Sequence, residues 1–134
     1  MEGIALDTSF LIDLQNERRG RGKSRGAEAF LRDNRNTTFF LPVIARGEYL
    51  EGFDEPDSPE AREWIDGITS LEVTAEIAAT YAKVTRQLRA ERRLIGANDL
   101  WIGSTALSAG LPLATQNAPD FRRIPGLTVL DYGE

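Results

Sequence analysis

The sequence contains neither cysteine nor histidine among its 134 residues. Without thiols, it has no disulfide framework and no thiolate to serve as a nucleophile or metal ligand. Without imidazole, it lacks the side chain that most often performs acid–base catalysis near neutral pH, and a common ligand of zinc. Any chemistry must therefore use carboxylates, hydroxyls, amides and metal-activated water.

Long apolar runs are also missing from the sequence. No stretch approaches the roughly 20 residues that a membrane-spanning helix needs, and the N-terminus lacks the organisation of a signal peptide. The length corresponds to a single domain, since domains typically contain about 100–200 residues. We therefore expect one domain over residues 1–134 and a cytoplasmic location.

The formal net charge is −5, but the charges are unevenly distributed. Acidic residues concentrate between Glu48 and Asp66. Basic residues gather in a glycine-rich segment predicted to be a loop, residues 16–26, and in a predicted helix over residues 75–93. Each basic segment is either a solvated surface or a local contact for a phosphate backbone.

Strand and helix patterns alternate along the chain. Apolar and β-branched runs predict strands at residues 3–6, 37–41, 71–73, 113–115 and 128–130. Capping residues and helical spacing predict helices at residues 9–15, 27–33, 59–68 and 75–93, one beginning at Pro42, and one from Asp99 to Gly110. A turn or short helix is expected over residues 117–121. This order predicts an α/β fold with a mainly parallel sheet and helices on both faces.

Four acidic residues lie beside predicted junctions between these elements: Asp7, Glu48, Asp99 and Asp120. Asp7 follows the apolar residues 4–6 directly, and in open α/β sheets the carboxyl edge of the strands is where ligands bind. Carboxylates that converge there repel one another unless a hard divalent cation neutralises them. We therefore predict that all four are catalytic and bind Mg²⁺ or Mn²⁺.

Four segments carry a family resemblance: residues 6–14 (LDTSFLIDL), the predicted helix with Glu48, residues 98–107 (NDLWIGSTAL), and residues 113–121 (LATQNAPDF) running into 124–127 (IPGL). In their order and spacing, the chain resembles the PIN-domain family, and within it the VapC-type ribonuclease toxins. The resemblance implies a three-layer α/β/α sandwich and Mg²⁺- or Mn²⁺-dependent endonucleolytic cleavage of RNA. It also implies a homodimer and a cognate VapB-type antitoxin.

Individual residues match the family pattern to different degrees. Asp7 and Asp99 match its best-defined metal ligands, and Glu48 matches its second acidic position. Both Asn117 and Asp120 fit the fourth position, which leaves that assignment open. The chain departs from the pattern at Gln116 and at the lead into the Glu48 helix, residues 46–47.

Hydrolysis by metal-activated water is the mechanism that these residues support. Because the chain has no histidine, such cleavage would leave a 5′-phosphate and a 3′-hydroxyl. Ser9 and Thr115 are either donors that orient the carboxylates or ordinary capping hydroxyls. We expect Asn117 to support the site as well, and Trp101 to be a packing residue.

The main alternative is a catalytically weak PIN-fold module that binds RNA or protein, since a fold alone does not determine function. Two surface assignments also stay open. Residues 16–26 are candidates for contact with RNA or with an antitoxin. Arg86, Arg89 and Arg93 are candidates for contact with RNA or with a second subunit.

Overall fold

The computed structural model describes residues 2–133. Its strands are β1 (Ile4–Leu6), β2 (Phe39–Pro42), β3 (Thr69–Leu71), β4 (Leu113–Thr115) and β5 (Val129–Asp131). Its helices are α1 (Thr8–Arg18), α2 (Ala27–Asp33), α3 (Val43–Glu51), α4 (Pro59–Arg62), α5 (Ala75–Ala90), α6 (Ala97–Ser108) and α7 (Ala118–Phe121).

The strands form one five-stranded sheet in the order β3-β2-β1-β4-β5, and every pairing in it is parallel. Helices flank this sheet, so the predicted α/β sandwich is confirmed. Both β1 and β4 are buried along their full length. A strand covered on both faces needs a continuous apolar run rather than an alternating one, which explains the Ile4-Ala5-Leu6 segment. These two central strands fix the position of the residues that directly follow them in the chain.

Small residues on α6 allow it to pack closely against the chain that follows β4. A β-carbon on Gly103 would collide with the side chain of Ile124 and would lie 3.4 Å from the ring of Phe121. On the side facing α5, the Trp101 ring stacks on Tyr81 with centroids 3.7 Å apart and planes at 5°. Trp101 is therefore a packing residue, as predicted.

The predicted helix over residues 75–93 is shorter in the structure, because α5 ends at Ala90. Arg92 has a left-handed backbone with φ 57°. Its N–H donates to the carbonyl of Arg89 at 3.1 Å, and the N–H of Arg93 donates to the carbonyl of Leu88 at 2.8 Å. This pair of bonds is a Schellman motif, which ends the helix. Glycine usually occupies the left-handed position. Because arginine occupies it here, the sequence did not indicate where the helix ends.

Other boundaries also differ from the predicted ones. Pro42 is the last residue of β2, with φ −54° and ψ 135°, and it caps α3 instead of lying in its first turn. The helix predicted over residues 59–68 is shorter in the structure, where α4 ends at Arg62. Ser58 caps it as expected, and its Oγ accepts from the Ala61 N–H at 3.1 Å. The strand predicted at residues 71–73 lies at Thr69–Leu71, where it pairs with β2. No helix in residues 2–133 is long and apolar enough to cross a membrane.

Candidate active site

The four predicted acidic residues meet at the carboxyl edge of the sheet. Asp7 follows β1 directly and is only 4% exposed. Glu48 lies in the second turn of α3, Asp99 in the first turn of α6 and Asp120 in α7, and each of these three is half-buried. Their charges influence one another, because Asp7, Glu48 and Asp120 all raise the pKa of Asp99. The structure thus brings all four together.

Three donors fix the buried carboxylate of Asp7. The Thr8 N–H donates to Oδ1 at 2.8 Å, while Ser9 Oγ and Thr115 Oγ1 donate to Oδ2 at 3.0 and 2.7 Å. Burial raises the pKa of Asp7 from its usual range, and these three hydrogen bonds oppose that rise. A carboxylate that is dehydrated and held by donors on one side keeps its remaining lone pairs for a cation on the other.

Ser9 and Thr115 are themselves oriented by the backbone. Ser9 Oγ accepts from the Gln116 N–H at 3.1 Å, and Thr115 Oγ1 accepts from the Asn117 N–H at 2.8 Å. Because each hydroxyl accepts a backbone N–H, its own proton is free to point at Asp7. The chain after β4 therefore sets the direction of both donors.

Glu48 is held by two residues that sequence analysis did not single out. Thr8 Oγ1 donates to Oε1 at 2.7 Å, and Asn98 Nδ2 donates to Oε2 at 3.0 Å. Each carboxylate oxygen thus has one donor, which fixes both the position and the plane of the group. Both residues are direct neighbours of a predicted ligand, Asp7 or Asp99, and that adjacency is the only signal the sequence offers.

Asn117 links the last two carboxylates. Its Nδ2 lies 3.2 Å from Asp99 Oδ2 and 3.1 Å from Asp120 Oδ2, so one amide group donates to both. Asn117 and Asp120, the two alternatives for the fourth family position, therefore both lie in the site. Arg123 also approaches it, with Nη2 3.8 Å from Asp120 Oδ1.

The cluster is electrostatically unfavourable while no cation neutralises it. Burial and the repulsion of Asp7, Glu48 and Asp120 raise the pKa of Asp99 to about 6 from an ordinary value of 3.8. The donor set consists of oxygen atoms only, which fits a hard cation such as Mg²⁺. As they stand, no three acidic side chains in residues 2–133 are grouped closely enough to share one ion. Mg²⁺ usually keeps several water ligands, so the residues fit an ion held partly through water.

Glu48 and Asp99 line a shallow surface cavity of about 370 Å³, together with Gly96, Ala97 and Asn98. A larger cavity of about 720 Å³ lies beside β5 and α2, where Arg25, Phe30, Gln116 and Tyr132 are among its lining residues. Of the four carboxylates, Glu48 and Asp99 line the smaller cavity, and none lines the larger one. We therefore take the shallow cavity as the candidate active site.

The two departures from the family pattern have structural explanations. Gln116 Nε2 donates to the carbonyl of Arg25 at 3.1 Å and so attaches the basic loop to the end of β4. Arg46 donates to the carbonyl of Ile65 at 3.1 Å and pairs with Asp66 at 2.8 Å. Both residues join segments of the fold and contact none of the four carboxylates.

Removing the Thr8 hydroxyl is expected to reduce catalysis through Glu48. In Thr8→Val, Glu48 Oε1 loses its donor, and loss of such a supporting bond typically costs about 10–100-fold in metal affinity or activity. Thr8→Ser retains the hydroxyl and should keep most of the activity. Steady-state cleavage rates and melting temperatures of both variants test this. Equal activity in Thr8→Val and Thr8→Ser would contradict the role of the hydroxyl.

The chain is similar in sequence to proteins of known family. The family model described as PIN domain matches residues 4–127. Ribonuclease VapC of Rickettsia bellii is 34% identical over 136 residues, covering 96% of this chain and 95% of that protein. Ribonuclease VapC1 of Haemophilus influenzae strain R2866 is 30% identical over 132 residues, covering 95% and 96%.

Solved structures agree with the sequence comparison. VapBC-1 from nontypeable Haemophilus influenzae has a TM-score of 0.80 at 26% identity, covering 98% of each chain. DNA-bound VapBC from Salmonella typhimurium has a TM-score of 0.81 at 22% identity, covering 98% of this chain and 99% of that one, which shows a shared fold.

Proposed function

The chain belongs to the PIN-domain family and, within it, to the VapC group, and on that premise we propose that it is a metal-dependent endoribonuclease acting as the toxin of a toxin–antitoxin pair. The observation that carries the proposal is the cluster of four carboxylates at the carboxyl edge of the sheet, where each of them accepts a hydrogen bond from a side chain. Mg²⁺ or Mn²⁺ bound there supplies Lewis acidity and lowers the pKa of a water.

The side chains of the site divide the remaining work. Asp7, fixed by Ser9 and Thr115, and Asp99, whose pKa is raised to about 6, are the ligands that gain most from a cation. Glu48 lines the opening and keeps lone pairs beside its bonds to Thr8 and Asn98. We assign Glu48 as the acceptor of the proton from the attacking water.

Asp120 completes the cluster through Asn117. The amide of Asn117 donates to Asp99 and to Asp120, so it holds these two carboxylates near each other. Attack by water in line with the leaving 3′-oxygen leaves a phosphate on the 5′ end of the downstream fragment. Since no general base is assigned to the ribose 2′-hydroxyl, a cyclic phosphate is not expected.

The comparisons support a partner as well as an activity. The two solved structures described above are VapBC complexes, and on that basis we propose a VapB-type antitoxin as the partner of this chain. We also propose that the protein forms a homodimer. We propose a cytoplasmic location for it, because its RNA substrate would be there. Size-exclusion chromatography with light scattering measures the oligomeric state directly.

The proposal is tested by incubating the antitoxin-free protein with total RNA in Mg²⁺, in Mn²⁺ and in EDTA, and mapping the ends of the products. We expect discrete fragments with 5′-phosphate and 3′-hydroxyl ends that form with either metal and not in EDTA. Ends with 2′,3′-cyclic phosphate, or cleavage that persists in EDTA, would contradict the mechanism. RNA binding without any cleavage would instead indicate a catalytically weak binding module.

A further inference from the structure

Four arginines surround the C-terminal end of α5, and we call them the arginine cluster: Arg86, Arg89, Arg92 and Arg93. All four are exposed. None of them takes part in an ion pair within residues 2–133. Their guanidinium groups are therefore exposed, and no carboxylate of the described chain forms an ion pair with them.

The other basic segment, in and after the end of α1, differs in this respect. Arg18 pairs with Glu28, and its guanidinium lies 5.0 Å from the centre of the Trp64 ring. Arg19 pairs with Glu60 at 3.0 Å. Part of the charge of this segment thus serves contacts within the fold. The sequence left both segments open as RNA contacts, and these ion pairs favour the arginine cluster over Arg18 and Arg19.

The arginine cluster is physically connected to the candidate active site. Arg123 Nη1 donates to the carbonyls of Arg93 and Leu94 at 3.4 and 3.1 Å, while its Nη2 lies 3.8 Å from Asp120 Oδ1. The same loop continues into Gly96–Asp99, which lines the opening above the carboxylates. The end of α5 and the rim of the opening are thus joined by a short segment of chain and by Arg123.

Arg92 adds an observation independent of charge. It is the only non-glycine residue of residues 2–133 with a positive φ, at 57°. Glycine is the usual residue at this position of a Schellman motif, because a β-carbon strains the left-handed backbone. Backbone strain of this kind tends to persist at functional sites. An arginine is thus kept beside the active site where glycine would be more stable.

We propose that the arginine cluster binds the phosphate backbone of the RNA beside the carboxylate site, an inference that rests on the proposed ribonuclease function. Arginine suits this role, since its guanidinium binds phosphate oxygens in pairs. The carboxylates and the arginines would then bind different phosphates of the same RNA. The scissile phosphate lies at the carboxylates, and the phosphates next to it lie along the end of α5.

RNA binding in EDTA tests the arginine cluster apart from catalysis. The probe is a fluorescein-labelled, unstructured RNA oligonucleotide of mixed sequence, titrated at several KCl concentrations. Arg92→Gln with Arg93→Gln removes two charges from the cluster. Arg18→Gln with Arg19→Gln is the matched control in the other basic segment, because both of these arginines are paired with carboxylates within the fold. For the cluster pair we expect about 10-fold weaker binding, and a log–log salt slope shallower by about 1.4. The control pair should stay within about twofold of the wild type.

Equal losses in the two pairs, no loss in the cluster pair, or no measurable binding by the wild type at low salt would each overturn the inference. Cleavage of total RNA by the same wild-type preparation in Mg²⁺ tests the proposed function separately. If the wild type cleaves RNA and the cluster pair binds RNA as tightly as the wild type, only the proposed role of the arginine cluster is refuted. The proposed ribonuclease function then stands.

The variant Arg92→Gly separates a functional arginine from a structural one. Relief of the left-handed strain should raise the melting temperature by about 3 °C for a domain of this size. Loss of a phosphate contact should lower Mg²⁺-dependent RNA cleavage several-fold. A more stable, less active variant supports the inference. A variant that is unchanged in activity, or that loses stability and activity together, would overturn it.

Discussion

Replacing Asp7 with asparagine is expected to lower the rate of RNA cleavage by about 1000-fold while the protein stays folded. Asp7 is the most buried of the four carboxylates, and its oxygens are oriented by Thr8, Ser9 and Thr115. Asparagine preserves the shape of the side chain but removes the negative charge that a cation requires. A loss of about 4 kcal/mol in transition-state stabilisation corresponds to this change in rate.

The fold should tolerate this substitution. Burial raises the pKa of Asp7, which means that the folded protein holds its charge at a cost. A neutral amide avoids that cost but offers only one accepting oxygen to the three donors, so the melting temperature of the metal-free protein should change little. Asp33→Asn is the control. Asp33 is exposed, and its substitution removes the same charge at a position away from the site. Similar cleavage by Asp7→Asn and Asp33→Asn would contradict the assignment of Asp7.

Replacing Asp99 with asparagine is expected to stabilise the metal-free protein at neutral pH and to abolish cleavage. The pKa of Asp99 is raised to about 6 in the folded state from 3.8. A raised pKa means that folding favours the protonated group, so its contribution to stability is complete below pH 3.8 and is lost as the pH rises through 6. Asparagine shows no such loss.

The size of this gain follows from the pKa shift. The rise of the Asp99 pKa from 3.8 to about 6 corresponds to about 3 kcal/mol, and partial exposure of Asp99 to solvent reduces this to about 1–2 kcal/mol. Urea unfolding in EDTA at pH 4, 6 and 8 measures it. The free energy of unfolding of Asp99→Asn should exceed that of the wild type by a margin that grows from pH 4 to pH 8. A difference independent of pH would contradict the cause assigned to the shift.

Addition of Mg²⁺ should stabilise the wild type more than Asp99→Asn. A ligand that binds only the folded state stabilises it by an amount that grows with the ratio of ligand concentration to Kd, and the wild type keeps the full carboxylate set. Asp99→Asn should therefore gain less stability from Mg²⁺ than the wild type gains. Equal gains in the two proteins would show that the cation binds elsewhere.

Local patterns in the sequence were sufficient to predict the sheet and the acidic cluster. The run Ile4-Ala5-Leu6 before Asp7 indicates a buried strand that ends in a carboxylate, and Leu113–Thr115 is similarly distinctive. Parallel topology then places the ends of such strands at one edge. The convergence of Asp7, Glu48, Asp99 and Asp120 followed from topology together with the family resemblance.

Contacts between distant segments were not predictable in the same way. Two residues donate hydrogen bonds to Glu48. They are Thr8 and Asn98, which lie 40 and 50 residues away from it in the chain. Their alignment depends on how α1, α3 and α6 pack, which no local pattern encodes. The end of α5 was missed for a different reason. Its left-handed residue is Arg92, and only a glycine there would have signalled the end of the helix.

Binding of Mn²⁺, followed by the electron paramagnetic resonance of the free ion, tests the central claim that the carboxylates form a cation site. The wild type and the double variant Asp7→Asn, Asp99→Asn are titrated side by side, and RNA cleavage is measured on the same samples. The wild type should bind Mn²⁺ and cleave RNA over the same range of concentrations, and the variant should do neither. Equal Mn²⁺ binding by the two proteins, or cleavage by the variant, would contradict the claim.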